Sequence, residues 1–210
     1  MRRVEERSRS GAKLRRRPII YIFCEGEETE PVYFRRFKSR NSNLEIRPIV
    51  SQNKSAPHLV AEAKKYITRY ESYYPDDGDQ IWCVFDRDSN TDEAISKAGQ
   101  LANKYGYQIA FSNPAFELWF LLHFFDQNAP VSDVAAIIRK LESNGGIKHY
   151  SKSKDYYSIL KPLQPEALSR ARQLIKKHET NGNVILNRDS NPVTTVSDLV
   201  TLLNEKMQLE

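Results

Sequence analysis

The first half of the chain alternates short apolar runs with longer stretches in which apolar side chains recur at helical spacing. Four runs have the length and the β-branched or aromatic content of buried strands, and they cover residues 18–24, 44–50, 81–85 and 107–111. The stretches between them carry apolar side chains three or four residues apart, as one face of an amphipathic helix does. This order predicts an α/β fold, in which a mostly parallel four-stranded sheet is flanked by helices on both faces and joined by right-handed crossovers.

The pattern becomes purely helical after the fourth predicted strand. The segment from Ala115 to Phe125 is apolar except for Glu117 and His123, so we expect a helix that is buried on all sides. Helical periodicity continues from residue 131 to the end of the chain. The sequence thus predicts a basic, flexible tail, an α/β core and a helical C-terminal extension packed on the core, over residues 1–17, 18–128 and 129–210.

The positive charge of the chain is concentrated at its N-terminus. Residues 1–17 hold eight Lys or Arg side chains against two Glu, a balance of +6, whereas the net charge of the whole chain is +5. The remainder is therefore close to neutral. A basic arm of this kind can neutralise nucleic-acid phosphates. A disordered tail that only aids solubility has the same composition, and the sequence does not distinguish the two.

Cysteine usage and hydropathy indicate the compartment. The two cysteines, Cys24 and Cys83, both fall inside predicted buried strands, which is typical of reduced cysteines in a cytoplasmic protein. No apolar run approaches the roughly 20 residues that span a bilayer, so we expect no membrane contact.

Carboxylates directly follow two of the predicted strands. Asp86 and Asp88 come immediately after the strand at 81–85, and an extended chain places both side chains on the same side. Glu25 follows the first strand, and the adjacent Gly26 allows a substrate to approach the backbone closely. The carboxyl ends of parallel strands are where α/β proteins bind ligands. Carboxylates gathered there repel unless a cation or a proton lies between them, which indicates a site for a divalent cation such as Mg²⁺.

Structural roles explain the same acids in another way. Asp86 could cap the N-terminus of a helix, and Asp88 could be a solvated loop acid. An acidic loop before a helix also complements the helix dipole, which explains Glu30 well and Glu25, at the strand tip, less well.

Glu117 and several basic residues are further candidates. Glu117 lies at the start of the apolar helix, near the tip of the fourth strand, where a buried carboxylate needs an arginine, a proton or the same cation as its partner. The commoner explanation of Glu117 is a structural ion pair. Arg87, Lys152 and Lys154 are candidate phosphate ligands, although a solvated basic loop looks similar. His123 is more often a core histidine than a ligand.

Four segments together resemble the RloB family: FCEGEETEPVY at 23–33, FDRD at 85–88, SNPAFELWFLLH at 112–123 and NPVT at 191–194. That family is similar to the Toprim domains of topoisomerases, primases and overcoming-lysogenization-defect nucleases. The resemblance implies a Toprim-like fold, with Asp86 and Asp88 as ligands of Mg²⁺ or Mn²⁺ and Glu25 as a general acid/base or a further ligand. It also implies an AAA-type ATPase partner, a role in phage defence and abortive infection, and DNA or structured RNA such as tRNA as the target.

The leading hypothesis is therefore a metal-dependent nuclease of Toprim type, with Glu117 as a weaker member of its site. The alternative is a non-catalytic module that binds nucleic acid or an ATPase partner and regulates it. A primase-like nucleotidyl transfer is a third possibility, but the chain has no motif for a nucleoside triphosphate. It also lacks the glycine-rich phosphate loops and the Gly-x-Ser-x-Gly elbow of other nucleotide-binding or hydrolytic folds.

Overall fold

The computed structural model describes residues 16–38, 43–88, 90–143 and 145–208. Of the basic tail predicted over residues 1–17, residues 1–15 lie outside the described residues, and only Arg16 and Arg17 belong to them.

The described residues form one sheet, whose strands are β1 (Ile19–Cys24), β2 (Glu45–Val50), β3 (Gln80–Asp86), β4 (Gln108–Asn113) and β5 (Val193–Thr194). Their order across the sheet is β2-β1-β3-β4-β5. The first four strands are parallel, and β5 is antiparallel to β4. The α/β class and the largely parallel arrangement are as the sequence predicts.

The fifth strand corrects the predicted four-stranded sheet. β5 has only two residues and follows Pro192, so it lacks the run of β-branched and aromatic residues that marks a strand in a sequence. Tertiary contacts hold it instead. The hydroxyl groups of Ser112 and Thr194 lie 3.0 Å apart, and Thr195 donates its N–H to the carbonyl of Phe111 at 2.8 Å. The C-terminal part of the chain therefore completes the sheet as well as packing on it.

The α-helices among the described residues are α1 (Thr29–Arg35), α2 (Ala56–Tyr70), α3 (Asp92–Tyr105), α4 (Glu117–Phe124), α5 (Val134–Leu141), α6 (Tyr157–Leu160), α7 (Gln164–Thr180) and α8 (Val196–Gln208). Two short 3-10 turns occupy Pro75–Asp77 and Lys161–Leu163. Within the same part of the chain, no helix has both the length and the apolar character needed to cross a bilayer.

Helices cover both faces of the sheet. Along β1, Ile20 and Ile22 pack with α1, α4 and the C-terminal helices, whereas Tyr21 and Phe23 pack with α2 and α3. Both faces of β1 are therefore buried, which explains why its sequence is a continuous apolar run. The two cysteines are free, as the sequence predicts, and they lie in the cores on opposite faces.

A buried carboxylate fixes the start of β1 at the opposite edge. The side chain of Asp79 is fully buried and accepts hydrogen bonds from the Arg16 guanidinium at 2.7 and 2.8 Å, from the N–H of Ile19 at 2.7 Å and from the N–H of Tyr74 at 2.9 Å. Burial by itself raises the pKa of Asp79, but the hydrogen bonds outweigh it and the net pKa is lowered.

We expect Asp79→Ala to lower the free energy of unfolding near pH 7 by about 2–4 kcal/mol, because it leaves the buried N–H of Ile19 and the partly buried donors of Arg16 and Tyr74 without their acceptor. The carboxylate contributes above its unfolded-state pKa of about 3.9, and its contribution is lost as the pH falls through the lower folded-state pKa. Urea unfolding near pH 7 and near pH 3 should therefore show a gap between variant and wild type that shrinks in acid. The exposed neighbour Asp77 provides the control as Asp77→Asn. A gap independent of pH would contradict this account.

Candidate active site

The carboxyl ends of β1 and β3 open into one cavity of about 330 Å³. β1 and β3 are paired in register, with Cys24 beside Val84, so Glu25 and Asp86 emerge at the same edge of the sheet. Among the described residues, this acidic cavity is lined by the carboxylates of Glu25, Glu27, Glu28, Glu30, Asp86, Asp88 and Glu117 and by the ammonium groups of Lys54 and Lys152.

Glu25 is fixed at the tip of β1. Its backbone N–H donates to the carbonyl of Val84 at 3.0 Å, which extends the ladder between the strands by one residue. Its carboxylate accepts the N–H of Asp86 at 3.2 Å and the amide of Asn90 at 3.0 Å. Asn90 also donates to the carbonyl of Asp86 at 2.7 Å and accepts the N–H of Ala56, at the start of α2, at 2.7 Å. The two strand tips are therefore joined directly, as the predicted site requires.

Asp86 has an incompletely satisfied side chain. Its Oδ1 is buried and has no hydrogen-bond partner among the residues that the structure describes. Burial, followed by the charges of Glu30, Glu117 and Asp88, raises the pKa of Asp86 well above its ordinary value. The helix-capping role considered from the sequence is wrong, because Asp86 ends β3 and Thr91 caps α3. Asp88 is exposed and lines the same cavity.

Glu30 is a site residue that the sequence did not single out. Its position in the first turn of α1 suggested only a dipole role, yet it is 5% exposed and packs over Gly26 in the acidic cavity. Burial, with the nearby charges of Glu117 and Glu25, raises the pKa of Glu30 to about 7. The signal in the sequence was the glycine itself, because a residue without a side chain leaves room for a neighbouring carboxylate.

Glu117 has the partners that its burial demands. It is 1% exposed, its carboxylate accepts the hydroxyl of Tyr150 at 3.1 Å, and the ammonium of Lys152 lies 3.3 Å away. The ion pair that the sequence favoured for Glu117 is therefore present, and Glu117 also lines the acidic cavity. Lys152, predicted as a phosphate ligand, lines the cavity from the C-terminal part of the chain.

Lys54 is a second residue that the sequence did not indicate. It lies in the loop between β2 and α2, and its ammonium contacts Glu27 at 2.7 Å and the carbonyl of Glu25 at 3.3 Å. Lys54 is the one charged residue of this polar loop, but nothing in the local sequence indicates that the loop lies beside the strand tips.

Three other candidates lie away from the acidic cavity. Lys154 is exposed and does not line it, and Arg87 lines an adjoining cavity instead. His123 is a core residue, as the sequence favoured. Its Nδ1 donates to the carbonyl of Trp119 at 2.8 Å, and burial lowers the pKa of the ring to about 4.

Comparison with known proteins assigns the family. The model of the RloB-like protein family matches residues 20–203. The chain belongs to the RloB-like family. A search of curated proteins and a search of solved structures each returned no match. The matched region of this RloB-like protein includes every residue that lines the acidic cavity, among them Lys152 from the C-terminal part, so the family assignment confirms the resemblance seen in the sequence.

The donor chemistry of the RloB-like site suits a divalent cation. Mg²⁺ takes carboxylate oxygens, and the buried Oδ1 of Asp86 has a lone pair to offer. Over the described ranges, however, no group of three or more His, Cys, Asp or Glu side chains is arranged so that it could hold a metal ion as it stands. Joint coordination by Glu25, Asp86 and Asp88 would therefore require side-chain rotation toward the cation.

Gly26 provides a test of how tightly this RloB-like site is packed. A Cβ at position 26 would overlap the carboxylate of Glu30, and Glu30 supplies the three nearest atoms that it meets. We expect Gly26→Ala to cost about 1–3 kcal/mol of stability, and to cost much less in a Glu30→Ala background, where the obstructing carboxylate is gone. Urea unfolding of the four proteins in this double-mutant cycle measures the coupling. Equal costs in both backgrounds would show that the glycine is needed for another reason.

Proposed function

We propose that the acidic cavity hydrolyses phosphodiester bonds of nucleic acid with the help of a bound divalent cation, Mg²⁺ or Mn²⁺. The observation that supports this most is the junction of two strand tips. The Glu25 carboxylate contacts the backbone of Asp86, and the buried Oδ1 of Asp86 has no partner among the described residues. Carboxylates brought together in this way destabilise one another unless a cation is bound, so their presence is more easily explained by function than by stability.

Asp86 and Asp88, with Glu25, would hold the cation. When bound, such an ion polarises a phosphodiester and lowers the pKa of a coordinated water. The chain's own groups supply the rest of the chemistry. Asn90 holds the Glu25 carboxylate through its amide, so that Glu25 is oriented to take a proton from an attacking water or to give one to a leaving oxygen.

Glu30 and the two lysines have supporting roles in this proposal. With a pKa of about 7, Glu30 can accept or release a proton near neutral pH. Lys54 and Lys152 lie at the cavity with their side chains more than half exposed, and their ammonium groups can contact phosphate oxygens. Both lysines now pair with carboxylates, and substrate would compete for Lys152 with Glu117.

The wider setting of the proposal rests on the resemblance to Toprim nucleases. It includes DNA or structured RNA such as tRNA as substrate, an AAA-type ATPase as partner, and a cytoplasmic role in defence against phage. The basic tail would add phosphate contacts, because Lys and Arg that neutralise phosphates release counterions and strengthen binding.

Purified full-length protein tests the proposal directly. Single-stranded DNA, duplex DNA and tRNA would be incubated with Mg²⁺, with Mn²⁺ or with EDTA, and products would be separated on denaturing gels. We expect cleavage only with a divalent cation, together with a rise in melting temperature on adding Mg²⁺ or Mn²⁺ without substrate. No cleavage of any substrate and no cation-dependent rise in melting temperature would overturn the proposal.

Two observations favour the non-catalytic alternative. The described residues contain no preformed three-ligand metal group, and Lys152 already neutralises Glu117. A regulatory module that binds nucleic acid or an ATPase would need no cation. Nucleic-acid binding that is unchanged by EDTA, without cleavage under any condition, would support this alternative.

A further inference from the structure

A second cavity adjoins the acidic one. Asp86 and Asp88 line the acidic cavity, whereas Arg87, the residue between them, lines a cavity of about 420 Å³ on its other side. The extended chain expected from the sequence ends at Asp86, because residues 87 and 88 form a bend and a turn in which the N–H of Asn90 donates to the carbonyl of Arg87 at 2.9 Å. This turn, rather than the period of a strand, places Arg87 in the second cavity. Asp88 lines both cavities, so they are contiguous at this residue.

The second cavity contains guanidinium groups without carboxylate partners. Arg87 is partly buried, and its Nε is buried with no hydrogen-bond partner in the part of the chain that the structure describes. Neither Arg87 nor Arg188 forms an ion pair with a described carboxylate, although acids line the same cavity. A buried donor that has no acceptor is costly, and an anion bound in this cavity against Arg87 would supply the missing acceptor.

Arg188 is held in place by the tip of β4. The buried amide of Asn113 donates to the carbonyl of Asn187 at 3.2 Å and to that of Arg188 at 2.9 Å. The hydroxyl of Ser190 donates to the carbonyls of Asn187 and Ile185, each at 2.6 Å. The loop that carries Arg188 is therefore fixed to the same sheet edge as the acidic cavity. These bonds hold the backbone of the loop, and the exposed side chain of Arg188 lines the second cavity together with Arg87.

We propose that this second cavity binds a backbone phosphate of a nucleic-acid strand whose adjoining phosphodiester lies in the acidic cavity, with Arg87 and Arg188 as the phosphate ligands. Guanidinium groups suit this role because their planar donors match two phosphate oxygens at once. The inference rests on the function proposed for the acidic cavity and adds a second point of contact, at a phosphate next to the phosphodiester that is cleaved.

The acids of the second cavity indicate which kind of phosphate it would bind. Asp88, Asp92 and Glu93 also line it, so a small free anion meets opposing charge there. A strand is anchored by other contacts as well, and it can place one phosphate against the guanidinium groups despite those acids. We therefore expect inorganic phosphate to bind poorly where an oligonucleotide binds well.

Binding measurements with and without the two arginines test the proposal. Fluorescent single-stranded DNA and RNA of the same sequence would be titrated in EDTA from about 50 to 200 mM salt with wild type, Arg87→Gln, Arg188→Gln and the double variant. We expect each single substitution to weaken binding about tenfold and to reduce the slope of log affinity against log salt by about one. Arg139→Gln, on the exposed side of α5, makes the same charge change away from both cavities. It should leave affinity unchanged.

Arg87→Lys tests whether weaker binding comes from loss of the guanidinium rather than from misfolding, because lysine retains the charge but lacks the planar pair of donors. It should bind less tightly than wild type at an unchanged melting temperature. Wild-type affinity in both glutamine variants, or an equal loss in Arg139→Gln, would overturn the second cavity as a phosphate site. These outcomes are independent of the proposed function. Failure of the arginines alone leaves cation-dependent cleavage by wild type intact, whereas absence of cleavage leaves the arginine effect on binding intact.

Discussion

Replacing Asp86 with asparagine should lower the rate of phosphodiester hydrolysis by more than about 100-fold and leave the metal-free protein at least as stable as wild type. The two effects have one cause. The Asp86 carboxylate is buried near Glu30 and Glu117, which raises its pKa, and its Oδ1 has no partner among the described residues. The charge therefore destabilises the protein without a cation, and the same charge would be needed to hold one.

Cleavage assays with Mg²⁺ and melting curves in EDTA measure the two sides of this prediction for Asp86→Asn. Asp77→Asn is the matched control, because Asp77 is exposed and precedes β3 at the opposite edge of the sheet. It should change neither quantity appreciably. A large drop in the melting temperature of Asp86→Asn would assign Asp86 a structural role instead. Undiminished hydrolysis would remove it from the site.

The sequence could predict the strand-tip part of this site because a topological rule constrains it. In a parallel sheet every strand ends at the same edge, so Glu25 and Asp86 had to meet if β1 and β3 were neighbours. The register confirms that they are, with Cys24 paired to Val84. That inference did not depend on knowing how the side chains pack around the strands.

The contribution of the C-terminal part could not be predicted in the same way. Tyr150 and Lys152 lie more than thirty residues after Glu117 in the sequence, yet both contact it. No periodic pattern in the chain predicts a contact over such a separation. β5 was missed for a related reason, because a two-residue strand is specified by its partner β4 rather than by its own composition. Residues 129–210 thus supply a side chain to the site and a strand to the sheet.

Glu30 shows a limit of a different kind. An acid in the first turn of a helix has an adequate explanation in the helix dipole, so nothing in the sequence calls for a second one. The structure shows instead that the Glu30 carboxylate is buried against Gly26, beside other acids. This burial, rather than the helix dipole, is the main cause of its raised pKa.

That environment leads to the second large effect: Glu30→Gln should stabilise the metal-free protein near pH 8 by on the order of 2–3 kcal/mol. Burial and neighbouring carboxylates raise the pKa of Glu30 from its ordinary value of 4.5 to about 7. The folded protein therefore retains a proton that the unfolded chain has lost between these values. Stability falls as the pH rises through that window, and glutamine removes this contribution.

Melting curves from about pH 4 to pH 8 in EDTA should show Glu30→Gln and wild type converging in acid and separating by roughly 5–10 °C in base. Glu205→Gln, exposed on α8, is the matched control and should follow wild type throughout. Millimolar Mg²⁺ should narrow the separation near pH 8, because a bound cation offsets the repulsion that the substitution relieves. A separation that is equally wide at every pH would mean that glutamine stabilises the fold through packing or hydrogen bonding. In that case the charge of Glu30 would have no part in the balance between stability and function at this site.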